Sequence, residues 1–125
     1  MGNRILVIDD EPDATSFLTA LLEDEGYQVR SASEGEEGLA LLRSECFDLV
    51  LLDVRMPGKT GVRLYAEIQT DVRLKHLPVI VCTGVDSMTL TDEKCRPLAP
   101  PAFLIEKPID RHALLAAVRS ALRAG

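Results

Sequence analysis

Cysteine is scarce in this sequence and never grouped. Cys46, Cys82 and Cys95 lie far apart, with no CxxC and no histidine at ligand spacing, which argues against a structural zinc site. His76 and His112 match no metal or triad pattern. Long hydrophobic runs are lacking too. None approaches the ~20 residues of a membrane helix, and the chain opens into the short run Ile5 to Ile8, too short for a secretory core. The odd cysteine count with no such core favours reduced thiols. Basic charge is also in deficit: 14 Lys and Arg face 20 Asp and Glu, for a net charge of −6. A nucleic-acid binder needs a basic face to neutralise phosphates. The expectation is therefore a cytoplasmic protein with no membrane segment and no direct nucleic-acid contact.

What the chain does contain is regular. Its 125 residues are 46% hydrophobic and 27% charged, which suits one domain, residues 1–125, around one core. Short apolar runs alternate with amphipathic stretches. The runs are Ile5–Ile8, the weaker Tyr27–Ala32, Leu49–Leu52, Val79–Cys82 and Ala102–Ile105. Runs of four or five apolar residues read as strands buried on both faces.

Between them, helical spacing places Ala14, Phe17, Leu18, Leu21 and Leu22 on one face, with Pro12 in the first turn and Gly26 as the stop. Ser33 with Glu36 predicts a capping box before Leu39 and Leu42. A third helix carries Gly61, Leu64, Tyr65, Ile68 and Val72. The last carries Leu114, Leu115, Val118 and Leu122 behind an N-cap at Asp110. The fourth connection is irregular, because Pro97, Pro100 and Pro101 forbid a regular helix there. Five strand–helix units predict an α/β, doubly wound parallel sheet with an irregular fourth helix. Its ligand site belongs at the carboxyl ends of the strands.

Those ends carry the chemistry. Strand one runs into Asp9-Asp10-Glu11, strand three into Asp53, strand four into Thr83 and strand five into Lys107-Pro108. In a parallel sheet all of them meet at one edge. Three aspartates crowd negative charge there, which a hard divalent cation such as Mg²⁺ relieves. A carboxylate can act as a nucleophile toward phosphorus. Thr83 offers a hydroxyl and Lys107 a positive charge, both suited to a phosphoryl group.

The strings Ile8-Asp9-Asp10-Glu11, Leu52-Asp53-Val54-Arg55-Met56-Pro57-Gly58, Thr83-Gly84 and Glu106-Lys107-Pro108 resemble the response-regulator receiver domain of bacterial two-component signalling. The resemblance spans essentially the whole chain. It implies the flavodoxin-like (βα)5 fold with strand order 2-1-3-4-5, the order that chemotaxis receivers exemplify. It also implies that Asp53 is the phosphoacceptor, supplied by a sensor histidine kinase or a histidine phosphotransfer protein. Asp10 and Asp53 would ligate Mg²⁺ directly, with the backbone carbonyl of Arg55, and Asp9 would act through water. Thr83 and Lys107 would grip the phosphoryl oxygens, and the Lys107–Pro108 bond would be cis. Phosphorylation would then change the face formed by the family's fourth helix, fifth strand and fifth helix, for an effector the sequence does not name. A homodimer through that face is left open.

The family places an aromatic switch residue three positions before the lysine. Here that position is Leu104, and Phe103 is one residue off, on the opposite strand face. This departure concerns output rather than phosphorylation chemistry. It supports an alternative, a pseudo-receiver that binds partners independently of phosphorylation. Arg55 and Val85 are expected to tune the lifetime of the phosphoryl group. A phosphohydrolase is disfavoured, since such enzymes need an acid where Arg55 stands. The chain is therefore not expected to be an enzyme acting on outside substrates.

Overall fold

A computed structural model describes residues 3–53, 61–83, 103–106 and 109–124; at 61, 62, 83, 103, 104, 106 and 124 it describes the backbone alone. The described elements are β1 (Arg4–Ile8), α1 (Pro12–Asp24), β2 (Gln28–Ala32), α2 (Gly35–Ser44), β3 (Leu49–Asp53), α3 (Gly61–Thr70), β4 (Val79–Thr83), β5 (Phe103–Glu106) and α4 (Arg111–Ala124). The strands form one parallel sheet in the order β2-β1-β3-β4-β5, which is the expected doubly wound order. The expected irregular helix of the fourth connection lies outside the described residues.

The period-two geometry of a strand sends alternate side chains to opposite faces. Leu6, Ile8, Val50 and Leu52 pack with Leu39 and Leu42 of α2 and Leu64, Tyr65 and Ile68 of α3. Ile5, Val7, Leu49 and Leu51 pack on the other face with Leu18, Leu21 and Leu22 of α1 and Leu114 and Val118 of α4. Every residue of β3 is buried, as a central strand covered by helices on both sides requires. β2, at the edge, keeps Gln28, Arg30 and Ser31 exposed, which explains its weak apolar signal.

The helix ends follow local chemistry. Pro12 lies in the first turn of α1, where its missing N–H leaves no hydrogen bond unmade. Gly26 takes φ 93°, a left-handed conformation that ends the helix at little steric cost. At α4, Asp110 Oδ1 accepts the His112 N–H at 3.3 Å, as an N-cap should.

Three expectations need correction. The expected Ser33–Glu36 capping box does not form: the cap makes no side-chain bond to the helix, and Glu37, not Glu36, reaches back, its Oε1 accepting the Ser33 N–H at 2.9 Å. The cap residue is Glu34, so the reaching side chain moves one position along. Val72 does not join the α3 face but is 76% exposed. The helix ends at Thr70, and a turn held by Asp71 buries Leu74 instead. Phe17 likewise stands 47% exposed on α1, because Leu18, Leu21 and Leu22 already fill the stripe against the sheet.

Candidate functional site at the carboxyl edge of the sheet

β1 and β3 are neighbours, with Ile8 opposite Leu52 in register. The next residues, Asp9 and Asp53, therefore stand side by side where the two strands end. Asp9 continues the alternation of Ile5 and Val7, and Asp53 that of Leu49 and Leu51. Both thus belong to the sheet face that α1 and α4 cover. Asp9 is 2% exposed and Asp53 4%, unusual burial for carboxylates. Asp10 is partly exposed. One carboxylate oxygen from each of Asp9, Asp10 and Asp53 lies within 4.8 Å of the others.

Local bonds hold Asp9 in place. Its N–H donates to Ala32 O at 3.1 Å, tying the position to the end of β2. Its Oδ1 accepts the Glu11 N–H at 3.0 Å, a turn that short acidic side chains favour. Thr15 Oγ1 donates to the Asp9 carbonyl at 3.3 Å. An aspartate just ahead of a helix that opens with Pro12 is the sequence signal for such a turn. Glu11, the cap residue of α1, makes no side-chain cap bond, so part of that capping role falls to Asp9.

Clustered carboxylates are the donor chemistry of a hard divalent cation. Mg²⁺ prefers a few carboxylates and several waters, and this set fits it in donor type and in proximity. The cation would offset the like-charge repulsion of three crowded carboxylates.

The remaining candidates divide. Thr83 closes β4, paired with Glu106, and Leu104 pairs with Val81; their backbones lie where the sequence places them. Arg55, Val85, Lys107 and Pro108, with the cis bond expected between the last two, lie outside the described residues. Cys46 is exposed and Cys82 is buried in β4. No described helix is long and apolar enough to cross a membrane.

Known proteins are similar to this chain in sequence and in fold. The chain is similar to Protein PilH of Pseudomonas aeruginosa, 36% identical over 119 residues that cover 95% of this chain and 97% of PilH. It is similar to response regulator PleD of Caulobacter vibrioides, 36% identical over 124 residues, 98% of this chain but 27% of PleD. It thus spans nearly all of one curated relative and about a quarter of the other. Among solved structures, a CheY-like response regulator receiver domain protein from Methanospirillum hungatei JF-1 superposes with a TM-score of 0.85 at 27% identity, covering 99% of this chain and 96% of that one. Chemotaxis protein CheY4 of Vibrio cholerae superposes with a TM-score of 0.81 at 25% identity, over 98% and 100%. The match to the response regulator receiver domain runs from Ile5, at the start of the buried β1 run, to Arg119 on α4, and the chain belongs to that family.

Proposed function

We propose that residues 1–125 act as one receiver unit, a signalling switch in which Asp53 accepts a phosphoryl group from a phosphohistidine. The observation that carries this reading is the convergence of Asp9, Asp10 and Asp53 within 4.8 Å at the edge where β1 and β3 end. In the transfer, a carboxylate oxygen of Asp53 attacks phosphorus and the P–N bond breaks. The donor imidazole leaves with the bond's electron pair, and an acyl phosphate forms on Asp53. Hydrolysis returns the carboxylate and releases inorganic phosphate.

The chain's own groups position this exchange. Asp10 and Asp53 are the proposed direct ligands of Mg²⁺ with the Arg55 carbonyl, and Asp9 acts through water. When bound, Mg²⁺ supplies charge neutralisation at a site that would otherwise repel an incoming phosphate. Thr83 and Lys107 are assigned to the phosphoryl oxygens. The phosphodonor is a histidine kinase or a histidine phosphotransfer protein, and the output passes to an effector through the face that includes β5. In this reading the domain assists only its own phosphorylation and dephosphorylation.

The test is incubation with Mg²⁺ and acetyl phosphate, followed by intact mass, with Asp53→Asn alongside. One added phosphoryl group, lost in the variant and without Mg²⁺, is the expected result. No addition, from acetyl phosphate or from a phosphorylated histidine donor, overturns it in favour of a pseudo-receiver whose partner binding ignores phosphorylation.

A further inference from the structure

At the other end of the strands, the loops that enter β1, β3 and β4 surround a solvent-open cleft of about 300 Å³, lined in part by Asn3, Phe47, Asp48, Arg73, His76 and Leu122. That volume lies at the lower bound of small-ligand sites. β3 separates the cleft from Asp53 by its own length, about 16 Å at the rise of a strand, so none of the phosphorylation machinery lines it.

Its walls are held rigidly. The Arg4 guanidinium lies 4.9 Å from the centroid of the Phe47 ring and donates to Cys46 O at 2.9 Å. It also pairs with Glu45. The Arg4 N–H donates to Asp48 Oδ2 at 2.8 Å, and the Asp48 N–H returns a bond to Arg4 O at 2.7 Å. Opposite, the Asp71 carboxylate and carbonyl tie down the turn that carries Arg73 and His76.

The lining is dipolar. Strand order puts β3 between β1 and β4. Asn3 and Asp48 precede β1 and β3, so acceptor oxygens stand on that side. Arg73 and His76 precede β4, so the Arg73 guanidinium and the His76 imidazole stand on the other, and neither side chain has a partner among the described residues. Phe47 and Leu122 contribute apolar wall. A simple anion would meet the Asp48 carboxylate, and a simple cation would meet Arg73. A ligand with both charges and an apolar body satisfies all three parts. We propose that this cleft binds small zwitterions with apolar side chains, the chemistry of an aromatic or aliphatic α-amino acid.

The test is a ¹⁵N–¹H NMR titration of the whole chain with L-phenylalanine, run beside hydrocinnamate, phenethylamine and glycine. These three lack the ammonium, the carboxylate and the apolar body in turn. The expected result is saturable shifts at Asn3, Asp48, Arg73 and His76, with a dissociation constant on the order of 1 mM. Each truncated analogue should bind about tenfold more weakly or not at all. Arg73→Gln should weaken L-phenylalanine and hydrocinnamate but not phenethylamine. Asp48→Asn, which keeps an acceptor for the Arg4 N–H, should weaken L-phenylalanine and phenethylamine but not hydrocinnamate. Shifts that fail to saturate, or equal binding of the truncated analogues, overturn the proposal.

Discussion

Gly38 of α2 lies directly against Ile8 of β1: a Cβ built on the glycine falls 2.5 Å from Ile8 Cδ1 and 3.0 Å from Cγ1. The helix crosses β1 this closely because no side chain intervenes. Ile8 is fully buried and immediately precedes the acidic pair, so this contact sets the height of α2 over the strand that delivers Asp9 and Asp10.

Gly38→Ala puts two effects in opposition. Helix propensity favours alanine by about 1 kcal/mol, whereas forcing a methyl into a packed core costs roughly 1–3 kcal/mol. With Ile8 enclosed, the second effect wins, and urea denaturation should show a net loss of about 1 kcal/mol. Ile8→Val alone should cost about 1 kcal/mol. It removes Cδ1, the atom in conflict, so the double variant should be more stable than the sum of the two changes. Simple additivity would mean that α2 shifts away rather than pressing on Ile8.

Asp10→Asn is predicted to act in opposite directions with and without Mg²⁺. Without Mg²⁺, Asp10→Asn removes one of three crowded charges and should stabilise the fold by about 1 kcal/mol. With Mg²⁺ in ~100-fold excess over its dissociation constant, the unsubstituted chain should gain about 2.7 kcal/mol, and the variant much less. Thermal melts with Mg²⁺ and with EDTA give both signs. An equal Mg²⁺ gain in the two proteins would remove Asp10 from the ligand set.

Tyr65 offers a pH signature on the sheet face opposite that of Asp9 and Asp53. It is fully buried in α3, and burial raises its phenol above the usual 10.0. The neutral form is thus favoured in the folded state, while the unfolded chain ionises near the ordinary value. The stability it confers is complete below pH 10.0 and declines as pH rises from there through the folded pKa. Tyr65→Phe should flatten that decline relative to the unsubstituted chain. Urea midpoints across this range that keep a constant difference between the two proteins would show that Tyr65 does not carry the effect.

The sheet was legible because burial on both faces leaves continuous apolar runs, which is why Ile5–Ile8, Leu49–Leu52 and Val79–Cys82 marked strands so clearly. Periodicity was less informative about helices. It counts apolar residues without knowing where a helix stops or how much of its face the sheet can cover. Val72 therefore fell outside α3, and Phe17 faced solvent on α1. A shift of one residue at the cap of α2 likewise replaced Glu36 with Glu37, since cap geometry depends on where the helical dihedrals begin.

Alternating apolar runs and acidic strand ends, read from the sequence by itself, were sufficient for the parallel α/β class and for bringing Asp9, Asp10 and Asp53 to one sheet edge, which rest on local composition and chain order. The family came instead from the resemblance of the strings at those strand ends. Only the tertiary structure decided how near the carboxylates stand, that Asp9 is held by the Glu11 amide, that α2 presses on β1 through Gly38 and Ile8, and that a dipolar cleft lies at the far end of the sheet. Those depend on strand register and on how closely a helix can approach the sheet. Register and approach arise from the packing of residues distant in sequence, which no local pattern encodes.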